Sequence, residues 1–162
     1  YQSTMKILGI DPGTSLIGYG VIEASHNKLE CITQGYFATE KNITTSEKVV
    51  EVFDFFYKLI KKEKVDMAAI EKLFFFKNAK TVIQVSEIRG VLLLALRKNN
   101  IEVREFTPLQ VKQAVSSYGK ATKEQVQQMV KLILSLKEIP RPDDIADALA
   151  VAICCANTAR FE

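Results

Sequence analysis

Hydrophobic and polar positions change period several times along the chain, and each change marks an element. Lys6 to Asp11 (KILGID) is a short apolar run stopped by Pro12-Gly13, the pattern of a strand that ends in a turn. Tyr19 to Glu23 and Leu29 to Thr39 are rich in β-branched and aromatic residues, with Ser25-His26-Asn27 as the loop between them. Three successive strands on short connections predict antiparallel pairing. At Thr44-Thr45-Ser46-Glu47, a capping box, the period turns helical. Val49, Val52, Phe53, Phe56, Leu59 and Ile60 then fall on one face, and Lys61, Lys62 and Lys64 suit the negative end of the helix dipole.

Val65 to Glu71 (VDMAAIE) returns to a short buried strand. Val82 to Leu96 is helical but apolar nearly all round, with Gly90 inside it, which predicts packing on two sides. Ile101 to Phe106 reads as a fifth strand. Thr107-Pro108-Leu109-Gln110 and Thr122-Lys123-Glu124-Gln125 are two further helix starts. After Pro140-Arg141-Pro142, Asp143 to Ala159 forms a last, mostly apolar helix. The order is βββαβαβαα with one more helix at the end: an α/β fold with a mixed five-stranded sheet and helices on both faces.

Composition narrows the class. The 162 residues suit one domain, and 48% apolar residues supply a core. Residues 1–4 read as a short artificial remnant ahead of an initiator Met5, leaving 5–162 as the domain. A net charge of +3 announces no nucleic-acid binder by itself, so any basic surface has to come from local clustering. Cys31, Cys154 and Cys155 show no metal-ligand spacing and read as small buried thiols of a reducing, cytoplasmic setting. No stretch reaches the roughly 20 apolar residues of a membrane span.

The chemistry lies in the acids. Asp11 ends the first strand and Glu71 the fourth, so neighbouring strands would bring both to one edge of the sheet. Asp144 and Asp147, three residues apart, share a face of the last helix amid Ile145, Ala146, Ala148 and Leu149. Singly, each has an ordinary structural explanation: a turn former, an ion-pair partner, or, for Asp143 and Asp144, a complement to the helix dipole. Together they offer the all-oxygen ligand set of a hard divalent ion. The lone histidine, His26, sits in a loop and supplies no base for a serine or cysteine nucleophile. Two Mg²⁺ ions held about 3.5–4 Å apart by such carboxylates suit phosphodiester hydrolysis, by activating water and stabilising the leaving 3′ oxygen. The run Phe74-Phe75-Phe76, flanked by Lys72, Lys77 and Lys80, is an aromatic–basic loop suited to base stacking and phosphate contact.

Several blocks resemble the RuvC-type Holliday junction resolvase family: Gly9-Ile10-Asp11-Pro12-Gly13, Gly18-Tyr19-Gly20-Val21-Ile22, and Ile70-Glu71 followed by Phe74, Lys77 and Asn78. Gln110-Val111-Lys112-Gln113, Lys123 with Gln125-Val126, and Asp144-Ile145-Ala146-Asp147-Ala148-Leu149-Ala150 complete the order. The resemblance spans Met5 onward. It implies an RNase H-like fold, a homodimer, and Mg²⁺-dependent paired nicking of four-way DNA junctions, with two ions per site and Mn²⁺ as a substitute. It selects Asp11, Glu71, Asp144 and Asp147 as catalytic metal ligands, and Asp144 rather than Asp143. Lys112 and Lys123 fall on basic positions suited to contacting phosphate or stabilising transition-state charge. Phe74 falls on an aromatic that stacks on junction bases, and Lys72, Lys77, Asn78, Lys80 and Lys120 join the DNA-binding set. Use within a branch-migration helicase complex, in recombination and repair, is part of the same expectation. The apolar Val82–Leu96 helix is then the dimer candidate.

Three other readings compete. Ile10-Asp11-Pro12-Gly13-Thr14 also looks like the phosphate loop of the actin, sugar-kinase and chaperone ATPase group, which needs a second domain. A general RNase H-like nuclease shares the acids but not the Phe74–Asn78 block. A non-catalytic nucleic-acid binding module gains nothing from clustered negative charge facing phosphates.

Overall fold

The computed structural model describes residues 4–73 and 78–159. Ten elements follow one another: β1 (Met5–Asp11), β2 (Leu16–Ala24), β3 (Leu29–Ala38), α1 (Thr45–Glu63), β4 (Met67–Glu71), α2 (Ala79–Lys98), β5 (Glu102–Phe106), α3 (Pro108–Ser116), α4 (Lys123–Ile133) and α5 (Asp143–Ala159). The strands lie side by side in the order β3-β2-β1-β4-β5. β1, β2 and β3 pair antiparallel, and β4 and β5 join as parallel strands. The mixed sheet read from the sequence is therefore the one that forms. β2 starts earlier than its aromatic run suggested, because Leu16 and Ile17 pair with Ala38 and Phe37 across the mouth of the hairpin.

All three predicted capping boxes form. Thr44, Thr107 and Thr122 each accept from the amide three residues on, and Glu47, Gln110 and Gln125 reach back to the cap amide. Each satisfies two otherwise orphaned donors, so α1, α3 and α4 start at fixed residues.

Strand alternation divides the core in two. Leu8, Ile10, Ala68 and Ile70 face α1 and α2, packed with Phe56, Ile60, Leu92 and Leu96. Ile7, Met67 and Ala69 face the other way, onto α3, α4 and α5 with Val111, Val130, Leu149 and Ile153. Helices cover both faces. α5 is the most buried of them, with an unbroken buried run from Ala148 to Ala156. Its burial explains why two of the three cysteines, Cys154 and Cys155, lie inside, and no disulfide joins any of the three. Among the described residues, no helix is long and apolar enough to cross a membrane.

Candidate active site

β1 and β4 run parallel, with Ile10 opposite Ile70, so the next residues on each strand, Asp11 and Glu71, emerge together where the sheet ends. The same alternation decides their side. Ile7 and Gly9 point to the α5 face and Leu8 and Ile10 to the α1–α2 face, so Asp11 follows Ile7 and Gly9 toward α5. Glu71 follows Met67 and Ala69 to the same side. Two acids far apart in sequence thus become neighbours beneath the N-terminal turns of α5, which carry Asp144 and Asp147.

Glycines set the height of α5 above the strands. A Cβ on Gly9 would stand 1.9 Å from the Ala148 carbonyl oxygen, and one on Gly18 would stand 2.1 Å from that of Asp144. Gly18 pairs directly with Asp11 in the β1–β2 ladder, so the helix backbone that carries Asp144 rests on the strand position next to Asp11. Any side chain there would lift the start of α5. Gly18→Ala is accordingly expected to lower stability by about 1–3 kcal/mol, the usual range for overpacking, read as a fall in urea midpoint with an unchanged slope.

The electrostatics show the four acids as one cluster. Burial, then the charges of Asp147, Asp144 and Glu71, push the Asp11 carboxyl up to about 8, with Lys123 opposing. Burial and Asp147 likewise raise Glu71, against the pull of Lys112. Asp147 is raised chiefly by burial despite the Lys123 ammonium beside it. Like charges this close disfavour joint ionisation, so the cluster is short of positive charge. Among the described residues, no three acid, thiol or imidazole groups stand closely enough to hold an ion as they are placed. The donor set nonetheless fits a hard cation: every candidate ligand is a carboxylate oxygen, and the cluster's repulsion is what a divalent charge relieves.

Two lysines partly answer that deficit. An opening beside the acids is lined by Glu71, Asp147, Lys112 and Lys123. Lys123 Nζ lies 3.4 Å from Asp147 Oδ2 and 3.4 Å from Asp143 Oδ2. Partial burial works against its ammonium, but the Asp147 and Asp143 charges outweigh that and hold its pKa above the usual lysine value. Asp143 also pairs with Arg141.

The remaining sequence candidates divide. Lys72, Lys80 and Lys120 are exposed. Asn78 has a structural task as the N-cap of α2, its Oδ1 accepting from the amides of Lys80 and Thr81. Phe74 and Lys77 lie outside the described residues. Sequence reasoning passed over two residues that the geometry brings to the site. Asp143, set aside in favour of Asp144, reaches Lys123. Arg89 on α2 donates from Nη1 to the Glu71 carbonyl at 3.2 Å. A lone arginine within the apolar run of α2 was the available signal.

Comparison with known proteins supplies the family. The profile described as crossover junction endodeoxyribonuclease RuvC matches residues 7–155. The protein of that name from Thermosipho melanesiensis is 50% identical over 157 residues, covering 97% of this chain and all of the relative. The solved structure of T. thermophilus RuvC in complex with Holliday junction substrate is 33% identical, with a TM-score of 0.93 over 97% of this chain and 96% of that one. The yeast mitochondrial Holliday junction resolvase Ydc2 shares the RNase H-like fold, with a TM-score of 0.70 at 17% identity, over 97% of this chain and 80% of that one. The chain belongs to the crossover junction endodeoxyribonuclease RuvC family.

Proposed function

We propose that this protein resolves four-way DNA junctions by paired hydrolytic nicks, with Asp11, Glu71, Asp144 and Asp147 as ligands of divalent metal, Mg²⁺ by preference and Mn²⁺ as a substitute. The observation that carries the reading is the convergence of four acids from β1, β4 and α5 into one electrostatic cluster inside a family of junction endonucleases. Bound there, the ions would supply a nucleophilic water and charge neutralisation at the scissile phosphate. The protein's own contribution is placement. The sheet end and α5 bring Glu71 and Asp147 to the opening, while Lys112 and Lys123, which also line it, draw a phosphate toward it and offset its charge. Lys123 is held against Asp147 and Asp143, which aims its ammonium at the place where phosphate charge would arrive. Phe74, Lys72, Lys77, Lys80 and Lys120 complete the DNA surface in this reading, with Asn78 acting chiefly through the start of α2.

The deciding experiment is a synthetic four-way junction incubated with the protein, with and without Mg²⁺, beside a linear duplex of the same sequence. Paired nicks in the junction alone, dependent on metal, are expected. Equal cutting of the duplex would make the protein a general nuclease, and binding without cutting would make it an inert module.

A homodimer is part of the proposal, because two equivalent strands need two equivalent sites. α2 supports it: Ile83 and Leu94 are 60% and 52% exposed, and a side chain on Gly90 between them would meet nothing within 4 Å. Sedimentation velocity should give a dimer, and Leu94→Glu should give a folded monomer that still binds metal. A wild-type monomer at micromolar concentration would refute this use of α2. We place the enzyme with its DNA in the cytoplasm, acting beside a branch-migration helicase.

A further inference from the structure

Arg89 is out of place by every ordinary expectation. It sits on the core side of α2, between Ile88 and Gly90, and is 8% exposed. Among the described residues, Gln127 is the only other polar or charged residue so buried. Burying a guanidinium is costly unless its donors are engaged. Its two arms are engaged at the end of the sheet: Nη1 with the Glu71 carbonyl oxygen at 3.2 Å, and Nη2 with Glu105 Oε2 at 2.6 Å.

The location gives these bonds their meaning. β4 is paired with β1 only as far as Ile70, so Glu71 stands beyond the last rung on that side. On its other side Glu71 pairs with Phe106, and the Lys72 amide donates to the Phe106 carbonyl at 2.7 Å. Glu71 is therefore held by β5 on one flank and by Arg89, while its carboxylate faces a repelling Asp147. A residue pushed by like charge, at a strand end with one neighbour, needs a separate restraint to keep its position.

We infer that Arg89 is a positioning residue: its guanidinium grips the backbone of Glu71, with Glu105 fixing the angle of the fork, and so holds the Glu71 carboxylate at the distance that metal binding requires. The rigid, planar fork matters, because a lysine reaches one acceptor at a time and leaves the other bond unmade. The grip also ties the helix that presents Ile83 and Leu94 to the strand end that presents Glu71. This inference rests on the metal-site reading proposed above.

The test separates the two. Mg²⁺ is titrated against the wild type, Arg89→Lys and Glu105→Gln, and the rise in Tm is followed; single-turnover junction cleavage and junction affinity in EDTA are measured alongside. Arg89→Lys should shift the Mg²⁺ midpoint upward by about tenfold, the low end for loss of a group that orients a ligand, and slow single-turnover cleavage. Junction affinity in EDTA should stay within about twofold. Glu105→Gln, which keeps the bond to Glu71, should shift the midpoint less. A purely structural Arg89 would lower Tm equally with and without Mg²⁺ and leave the midpoint where it was, which overturns the inference. A wild type whose Tm ignores Mg²⁺ would overturn the metal-site reading and this inference with it.

Discussion

Asp147→Asn is expected to lower junction cleavage by on the order of 10³-fold or more, the scale of losing a group that acts only on the reacting centre, while junction binding survives. The substitution is isosteric, so α5 keeps its seat on Gly9 and Gly18. It removes one of the four proposed metal ligands and one of the charges that raise Asp11 and Glu71. It also frees Lys123 from its contact with the Asp147 carboxylate while leaving Asp143 as a partner. One negative charge fewer in a phosphate-facing opening favours DNA, so affinity in EDTA should be equal to wild type or tighter. Single-turnover cleavage and gel-shift titration measure the two effects separately. Residual cleavage within about tenfold of wild type would take Asp147 out of the metal site.

Most of this geometry was legible because it follows from short-range rules. The change from alternating to helical period located the elements, and three capping boxes fixed helix starts to the residue. A parallel β1–β4 pair was the one long-range assumption needed to join Asp11 to Glu71, and the sheet order supplies it. Resemblance was needed for the choice between Asp143 and Asp144, since both occupy the first turn of α5. The structure shows why spacing alone was insufficient: both are part of the site's electrostatics, Asp144 acting on Asp11 and Asp143 on Lys123. The bonds of Arg89 were not legible at all. They depend on where α2 crosses the ends of β4 and β5, and a backbone carbonyl acceptor leaves no mark in the sequence.

Those layers have different physical origins, and the difference bears on how the site works. Glycines bring α5 down onto β1 and β2 by removing side chains, and strand alternation turns Asp11 and Glu71 toward it. Both devices force carboxylates together. Among the described residues, Lys112 and Lys123 bring two positive charges to the opening and Lys123 is shared with Asp143, so the resulting repulsion is not fully relieved. The fold thus stores a site less stable than its surroundings when no cation is present, as expected where function and stability pull apart.

That stored strain predicts the behaviour of Asp11→Asn: no cleavage, yet a more stable metal-free protein. An unfolded aspartate titrates near 3.9, whereas Asp11 in the fold is pushed up to about 8, so between those limits the native state binds the proton that the unfolded state releases. Stability from this group is therefore fully present below about pH 4, declines as pH rises, and is lost once pH passes about 8. Glu71 and Asp147, raised in the same direction, steepen the decline. An asparagine has the same shape, carries no charge, and adds an amide that can donate to the neighbouring carboxylates. In EDTA at pH 8 the variant should be more stable than wild type by roughly 1–3 kcal/mol, a discounted fraction of the charge penalty, and its Tm should vary less with pH. Saturating Mg²⁺ should reverse the order by raising the wild-type Tm and leaving the variant nearly unmoved. Melting curves from about pH 5 to 9, with EDTA and with Mg²⁺, measure all of this. If the metal-free variant melts below wild type at pH 8, the like-charge cluster is not the source of strain at this site, and the four acids lose their common physical basis.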